Sequence, residues 1–174
     1  LRFPVGKCKP ENCDESPLQA MFVNDTCFKF ELKVCEGYCC DYLSQTFQKF
    51  LLNVNPNCKP DFRYVTINDV RKGGGVFFDL YDNGNIGEVR VTSLLSTAPS
   101  IAGSIFCIIF DSISECAKNF TYRYVGNEMM YSIYDPYYHD CCPVCYTPEP
   151  FYKYPPPPTV SPPPPTVSPP PPTV

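Results

Sequence analysis

The chain has 174 residues, twelve cysteines, 22 prolines and a net charge of −4, with a pI near 4.9. Its basic residues are scattered, which argues against nucleic acid and against anionic membrane as partners. No apolar run is long enough to cross a bilayer as a helix. About 150 residues precede a proline-rich tail, enough for one domain with a real core.

In chain order, the first strand signal falls at 18–23. Phe28, Phe30, Leu32 and Val34 then alternate with Lys29, Glu31 and Lys33, the period of a half-buried strand. A short helix or 3₁₀ turn is expected around 41–45. Strand signals follow at 47–54 and 62–67. Gly73-Gly74-Gly75 reads as a flexible turn. Runs at 76–81 and 86–92 flank Asn83-Gly84, a hairpin signal, because such turns need positive φ at both central positions. Residues 105–110 (IFCIIF) are apolar on both faces and read as a central strand. Further strands are expected at 120–125 and 130–134. Many short strands broken by Gly, Pro and Asn predict an all-β fold, a disulfide-rich antiparallel β-sandwich followed by a C-terminal polyproline II rod. The expected division is a domain at 1–146, an aromatic and proline-rich junction at 147–154 (TPEPFYKY), and the rod at 155–174.

The cysteines Cys8, Cys13, Cys27, Cys35, Cys39, Cys40, Cys58, Cys107, Cys116, Cys141, Cys142 and Cys145 all precede the tail. An even, dense set without dominant metal spacing reads as a disulfide framework made in an oxidising compartment. Twelve cysteines allow on the order of ten thousand pairings, and spacing selects none of them. Two N-glycosylation sequons, at Asn24 and Asn119, agree with secretion. The chain starts at Leu1 with no methionine and no signal peptide, and reads as a processed or trimmed secreted protein.

One cluster could carry chemistry: His139-Asp140-Cys141-Cys142-Pro143-Val144-Cys145. It can be read as a zinc site, a redox pair or structural disulfides. Zinc would want a second well-spaced pair, and Cys39-Cys40 is a poor one. A redox pair would open a helix after a strand. Structural staples are therefore the expectation. Asp79, Asp82, Asn83 and Asn85 offer oxygens for calcium, but turns select these residues anyway and the spacing is not an EF-hand loop. Lys72 and the glycine triplet lack the ending of a phosphate loop. With no GxSxG and a single histidine, neither an enzyme nor a cofactor is expected.

The tail repeats PPPPTVS, PPPPTVS, PPPPTV. Four prolines in a row fix φ and hold the preceding residues extended, which makes a polyproline II rod of about 60 Å. Polyproline II has three residues per turn, so a seven-residue repeat turns each Thr-Val pair by about 120° from the last. No stripe of side chains recurs on one face. A rod without a preferred face suits being surrounded, by sugar or by several protein neighbours.

The run Thr26-Cys27-Phe28 into a strand, then Cys35, Cys39-Cys40, Asn57-Cys58, Phe106-Cys107-Ile108 and Cys141-Cys142-Pro143, resembles the pherophorin domain over about residues 8–145. Pherophorins are extracellular-matrix glycoproteins of volvocine green algae whose domains are joined to hydroxyproline-rich rods. Members of that family often place the rod between two domains, whereas this chain shows one domain and a rod that stops in mid-pattern at Val174. The resemblance implies hydroxylation and O-linked arabinose or galactose on the rod, at Pro155, Pro156, Pro157, Pro158, Ser161, Pro162, Pro163, Pro164, Pro165, Ser168, Pro169, Pro170, Pro171 and Pro172. The expected function is a structural subunit of a secreted glycoprotein fibre or matrix, in a cell wall or a cell-surface appendage. Its expected partners are identical subunits in a head-to-tail or helical array, with covalent N- and O-linked glycans and no membrane insertion. The alternative is a carbohydrate-binding or adhesive module on a glycosylated stalk.

Overall fold

A computed structural model describes residues 2–6, 8, 10–119, 128–135 and 140–148. The expected strand at 120–125, His139, and the rod with all its modification positions lie outside them.

The described strands are β1 (Pro10–Asn12), β2 (Leu18–Phe22), β3 (Cys27–Leu32), β4 (Lys49–Val54), β5 (Phe62–Ile67), β6 (Val70–Arg71), β7 (Val76–Tyr81), β8 (Ile86–Val91), β9 (Ile105–Phe110), β10 (Met130–Tyr134) and β11 (Cys142–Tyr146). Three short helices, α1 (Tyr38–Gln45), α2 (Ala98–Ile101) and α3 (Cys116–Asn119), interrupt them. Helix α1 covers the helical expectation and begins three residues earlier. One sheet has the order β1-β11-β10-β4-β8-β7 and the other β2-β3-β9-β5-β6. The two-sheet reading holds, with one correction to the antiparallel expectation: among the described strands β1 and β11 pair parallel.

Alternation explains which residues meet between the sheets. Phe28 and Phe30 on β3, Phe50 and Leu52 on β4, Val89 and Val91 on β8, and Phe106 and Ile108 on β9 share one buried core. Its centre is aromatic. Phe50 meets Phe106 edge to face at 5.1 Å, and Phe30 meets Phe47 at 5.5 Å and Tyr131 at 6.1 Å. Such edge-on pairs add about 0.5–1.5 kcal/mol each beyond the area they bury.

The alternation at 28–34 runs past its strand. β3 ends at Leu32, paired with Leu18, the first residue of its neighbour, and the chain then bends into a loop closed by Cys35–Cys40. Leu32 and Val34 are consequently exposed. Strand β9 is central, as expected, between β3 and β5. At the hairpin of β7 and β8, left-handed φ extends over Asp82, Asn83 and Gly84, one residue further than the Asn-Gly signal.

Candidate functional site

Two features of the six-stranded sheet stand apart from packing: a covalent clasp of its first and last described strands, and a polar cavity on the outer face.

All twelve cysteines are paired: Cys8–Cys142, Cys13–Cys145, Cys27–Cys107, Cys35–Cys40, Cys39–Cys141 and Cys58–Cys116. The CxxC spacing acquires a physical reason on a strand. Side chains alternate, so positions three apart point to opposite faces. Cys142 lies in a small outer cluster with Phe3, Cys8, Leu51 and Tyr134, whereas Cys145 lies in the main core. The two thiols therefore diverge, and each joins the N-terminal segment on its own side of the sheet. That geometry serves neither a shared metal nor a redox pair. Cys141, next to Cys142, ties the same stretch to α1 through Cys39. Strand β11 itself is hydrogen-bonded to β1 on one side and β10 on the other. Beyond it Thr147 is buried. Its amide donates to the Met129 carbonyl at 2.9 Å, and its hydroxyl accepts from the Met129 amide at 2.8 Å.

The outer face is read off the strand register. Tyr134 on β10 sits opposite Lys49 on β4, Leu51 opposite Arg90 on β8, and Arg90 opposite Phe77 on β7. Glu88, two residues before Arg90, shares their face and pairs with Asp79. The N-terminal segment crosses this face, with Phe3 buried and the Val5 amide donating to Glu88 Oε1 at 2.7 Å. Beside the crossing a cavity of about 230 Å³ is lined by Val5, Gly6, Cys8, Lys49, Leu51, Tyr81, Glu88, Arg90 and Tyr134.

Burial dominates the electrostatics of the cavity. It pushes the Glu88 carboxyl up to about 7, against the Val5 amide, which favours the charged form. Burial also lowers Lys49, helped by the nearby Arg90 cation, and raises the Tyr81 and Tyr134 phenols. Lys49 Nζ stands 4.3 Å from the Tyr134 ring centroid. Arg90 lies 4.4 Å over Phe77 and donates through Nη2 to Asp79 Oδ2 at 3.1 Å. The Tyr134 hydroxyl lies 3.0 Å from Cys8 Sγ, and since a disulfide sulfur carries no proton, the phenol is the donor.

The remaining sequence-derived positions are scattered. Asn24 is exposed on the turn between β2 and β3, where its Oδ1 accepts from the amides of Thr26 (3.0 Å) and Cys27 (2.8 Å). Asn119 ends α3, and the rest of its sequon lies outside the described residues. Asp79 pairs with Arg90 in the strand rather than joining Asp82, Asn83 and Asn85 in the loop. Among the described residues no group of His, Cys, Asp and Glu is arranged to hold a metal ion.

The cavity escaped sequence reasoning. Glu88 and Arg90 occupy alternate positions of a strand, which reads as a solvated outer face. Only the crossing of the N-terminal segment, held by a disulfide to a cysteine 134 positions away, encloses them.

Neither the curated proteins nor the solved structures contain a match to the chain. A family profile described as pherophorin matches residues 3–143, which span β1 to β10 and the first two residues of β11. The chain belongs to the pherophorin family.

Proposed function

We propose that the chain is a structural subunit of an extracellular glycoprotein fibre or matrix, assembled by contacts between the rod at 155–174 and globular domains of neighbouring copies. Family membership supports the matrix setting. Six disulfides agree with an oxidising compartment.

The observation that carries the reading is the clasp. In a parallel pair the start of β1 and the end of β11 lie at opposite ends, so a pull between the chain's N-terminal side and the rod shears the pair lengthwise. Cys8–Cys142 then gives that pull a covalent route. Force runs along the chain to residue 8, through the disulfide, and out from residue 142 towards the rod. Residues 9–141 lie off this route. Cys13–Cys145 and Cys39–Cys141 repeat the arrangement behind it. Three covalent ties thus gather at and just before the last described strand, on the side of the domain that leads towards residues 155–174.

Four-proline runs offer a pre-ordered surface that aromatic grooves hold at little entropic cost. A rod-to-domain contact is heterologous, and such contacts propagate into filaments unless they close into rings. Hydroxyproline-linked and Asn24-linked glycans would coat what neighbouring domains leave uncovered. The test is deletion of residues 155–174, followed by electron microscopy of the secreted product. The expected product is dispersed domains of unchanged stability. Fibres identical to those of the full chain contradict the proposal.

A further inference from the structure

Two cationic side chains, Lys49 and Arg90, line the outer-face cavity. Lys49 has no carboxylate within ion-pair distance among the described residues. Arg90 turns one terminal nitrogen towards Asp79 and leaves Nε buried without an acceptor. The acceptor on the floor, Glu88, already takes the Val5 amide on Oε1. The rest of the Arg90 side chain is about a third exposed, so its guanidinium, unlike Nε, can meet an occupant that brings acceptors. In a chain of net charge −4, two neighbouring cationic side chains, of which only Arg90 has a carboxylate partner, face one half-open space and favour an anion there.

The rest of the wall narrows the class. Leu51, Val5 and the Tyr81 and Tyr134 side chains alternate with the charged groups, so the space presents apolar and polar patches side by side. A ring with C–H faces and hydroxyl edges matches such a lining. The volume, about 230 Å³, lies below that of sites for drug-sized molecules and fits one ring rather than a chain.

We propose that this cavity binds a single anionic sugar unit, a uronate or a sulfated hexose, with its anionic group against Lys49 and the exposed part of the Arg90 guanidinium. The site is independent of the rod and survives a failure of the rod-to-domain contact. It gives the domain a hold on acidic glycan in addition to any contact with its own kind.

The test uses the full disulfide-bonded chain, with backbone amide shifts followed by NMR against four probes: methyl glucuronide, methyl galactoside 6-sulfate, methyl galactoside and inorganic sulfate. At least one anionic sugar is expected to bind tenfold or more tighter than both the neutral sugar and sulfate, with shifts centred on Val5, Gly6, Lys49 and Glu88. The two anionic probes decide between carboxylate and sulfate. Lys49→Met, which removes the cation and keeps an unbranched apolar side chain, is expected to weaken binding at least tenfold. Lys29→Met, on the opposite sheet, is expected to leave it unchanged. Affinity should also fall as pH rises from 5.5 to 8.5. Glu88 gains its negative charge there, facing Asp79 and Tyr81 on β7, Lys49 on β4, Arg90 on its own strand, Tyr134 on β10 and the Val5 amide. Equal binding of neutral and anionic sugars, binding of sulfate as tight as of either anionic sugar, shifts centred elsewhere, or no binding at all overturns the assignment. These readouts on the unmutated chain decide the matter even where Lys49→Met fails to fold.

Discussion

The Tyr131 hydroxyl, carried on β10 of one sheet, accepts a 2.9 Å hydrogen bond from the Ala20 amide on β2 of the other. Strand β2 is the edge of its sheet, so this amide sits where a neighbouring strand would otherwise pair. Both residues are fully buried, and burial raises the phenol to about 12. A tyrosine reaching across an aromatic core thus closes the edge from inside. Tyr131→Phe keeps the ring and orphans the amide, and a buried amide without an acceptor costs about 1–3 kcal/mol. The denaturant midpoint should drop with an unchanged m-value. An unaltered midpoint would show that the amide finds another partner.

Glu88 sets a pH dependence whose sign is unusual for a carboxylate. Its ordinary value is 4.5 and its folded value about 7. Between these the unfolded chain has released the proton while the folded chain still holds it. Stability therefore falls as pH rises from 4.5 to 7, by about 3 kcal/mol. Glu88→Gln keeps an acceptor for the Val5 amide and removes the titration. Denaturation of both proteins across this range should show a steeper decline in the parent. Parallel curves would contradict the burial argument.

Gly87 stands in β8 where no other residue fits. A Cβ there would lie 2.7 Å from the Val54 carbonyl oxygen and 2.9 Å from Pro56 Cα, both backbone atoms. Gly87→Ala must push two segments apart and should cost about 1–3 kcal/mol. Gly74→Ala, with nothing within 4 Å of its Cβ, should stay within about 0.5 kcal/mol of the parent. Equal effects at the two positions, measured by thermal unfolding, would rule out close packing as the reason for Gly87.

Much of the fold is legible because its signals are local. Alternation at 28–32, the strand signal at 47–54, the double-faced run at 105–110 and the turn at Asn83-Gly84 each mark structure from neighbouring residues. The strand β11 is not legible that way. Its residues, CPVCY, carry two cysteines and a proline, and read as a motif or a linker rather than as a strand. It pairs with β1 and β10 while Cys8–Cys142 and Cys13–Cys145 fix it beside the β1 segment and Cys39–Cys141 ties the residue before it to α1. Likewise β1 is three residues whose partner lies more than 130 positions away. The cavity, the parallel pair and the disulfides of Cys8 and Cys13 depend on contacts between the N-terminal segment and residues far along the chain, and no periodicity records those. The cysteine count announces a framework, but only the alternation of Cys142 and Cys145 on a strand explains why two residues separate them.

Forced extension between the two chain ends tests the clasp most directly. Oxidised, the domain should show no unfolding step, since Cys8–Cys142 keeps the residues between them off the stretched path. With Cys8, Cys13 and Cys39 each replaced by Ser, the ties of the end strand are gone, and unfolding should release chain up to whatever the remaining disulfides retain. Full reduction should release the 134-residue separation, about 450 Å of contour at ~3.4 Å per residue. A release of that size from the fully oxidised protein would contradict the account, because force would then be passing through the domain and not around it.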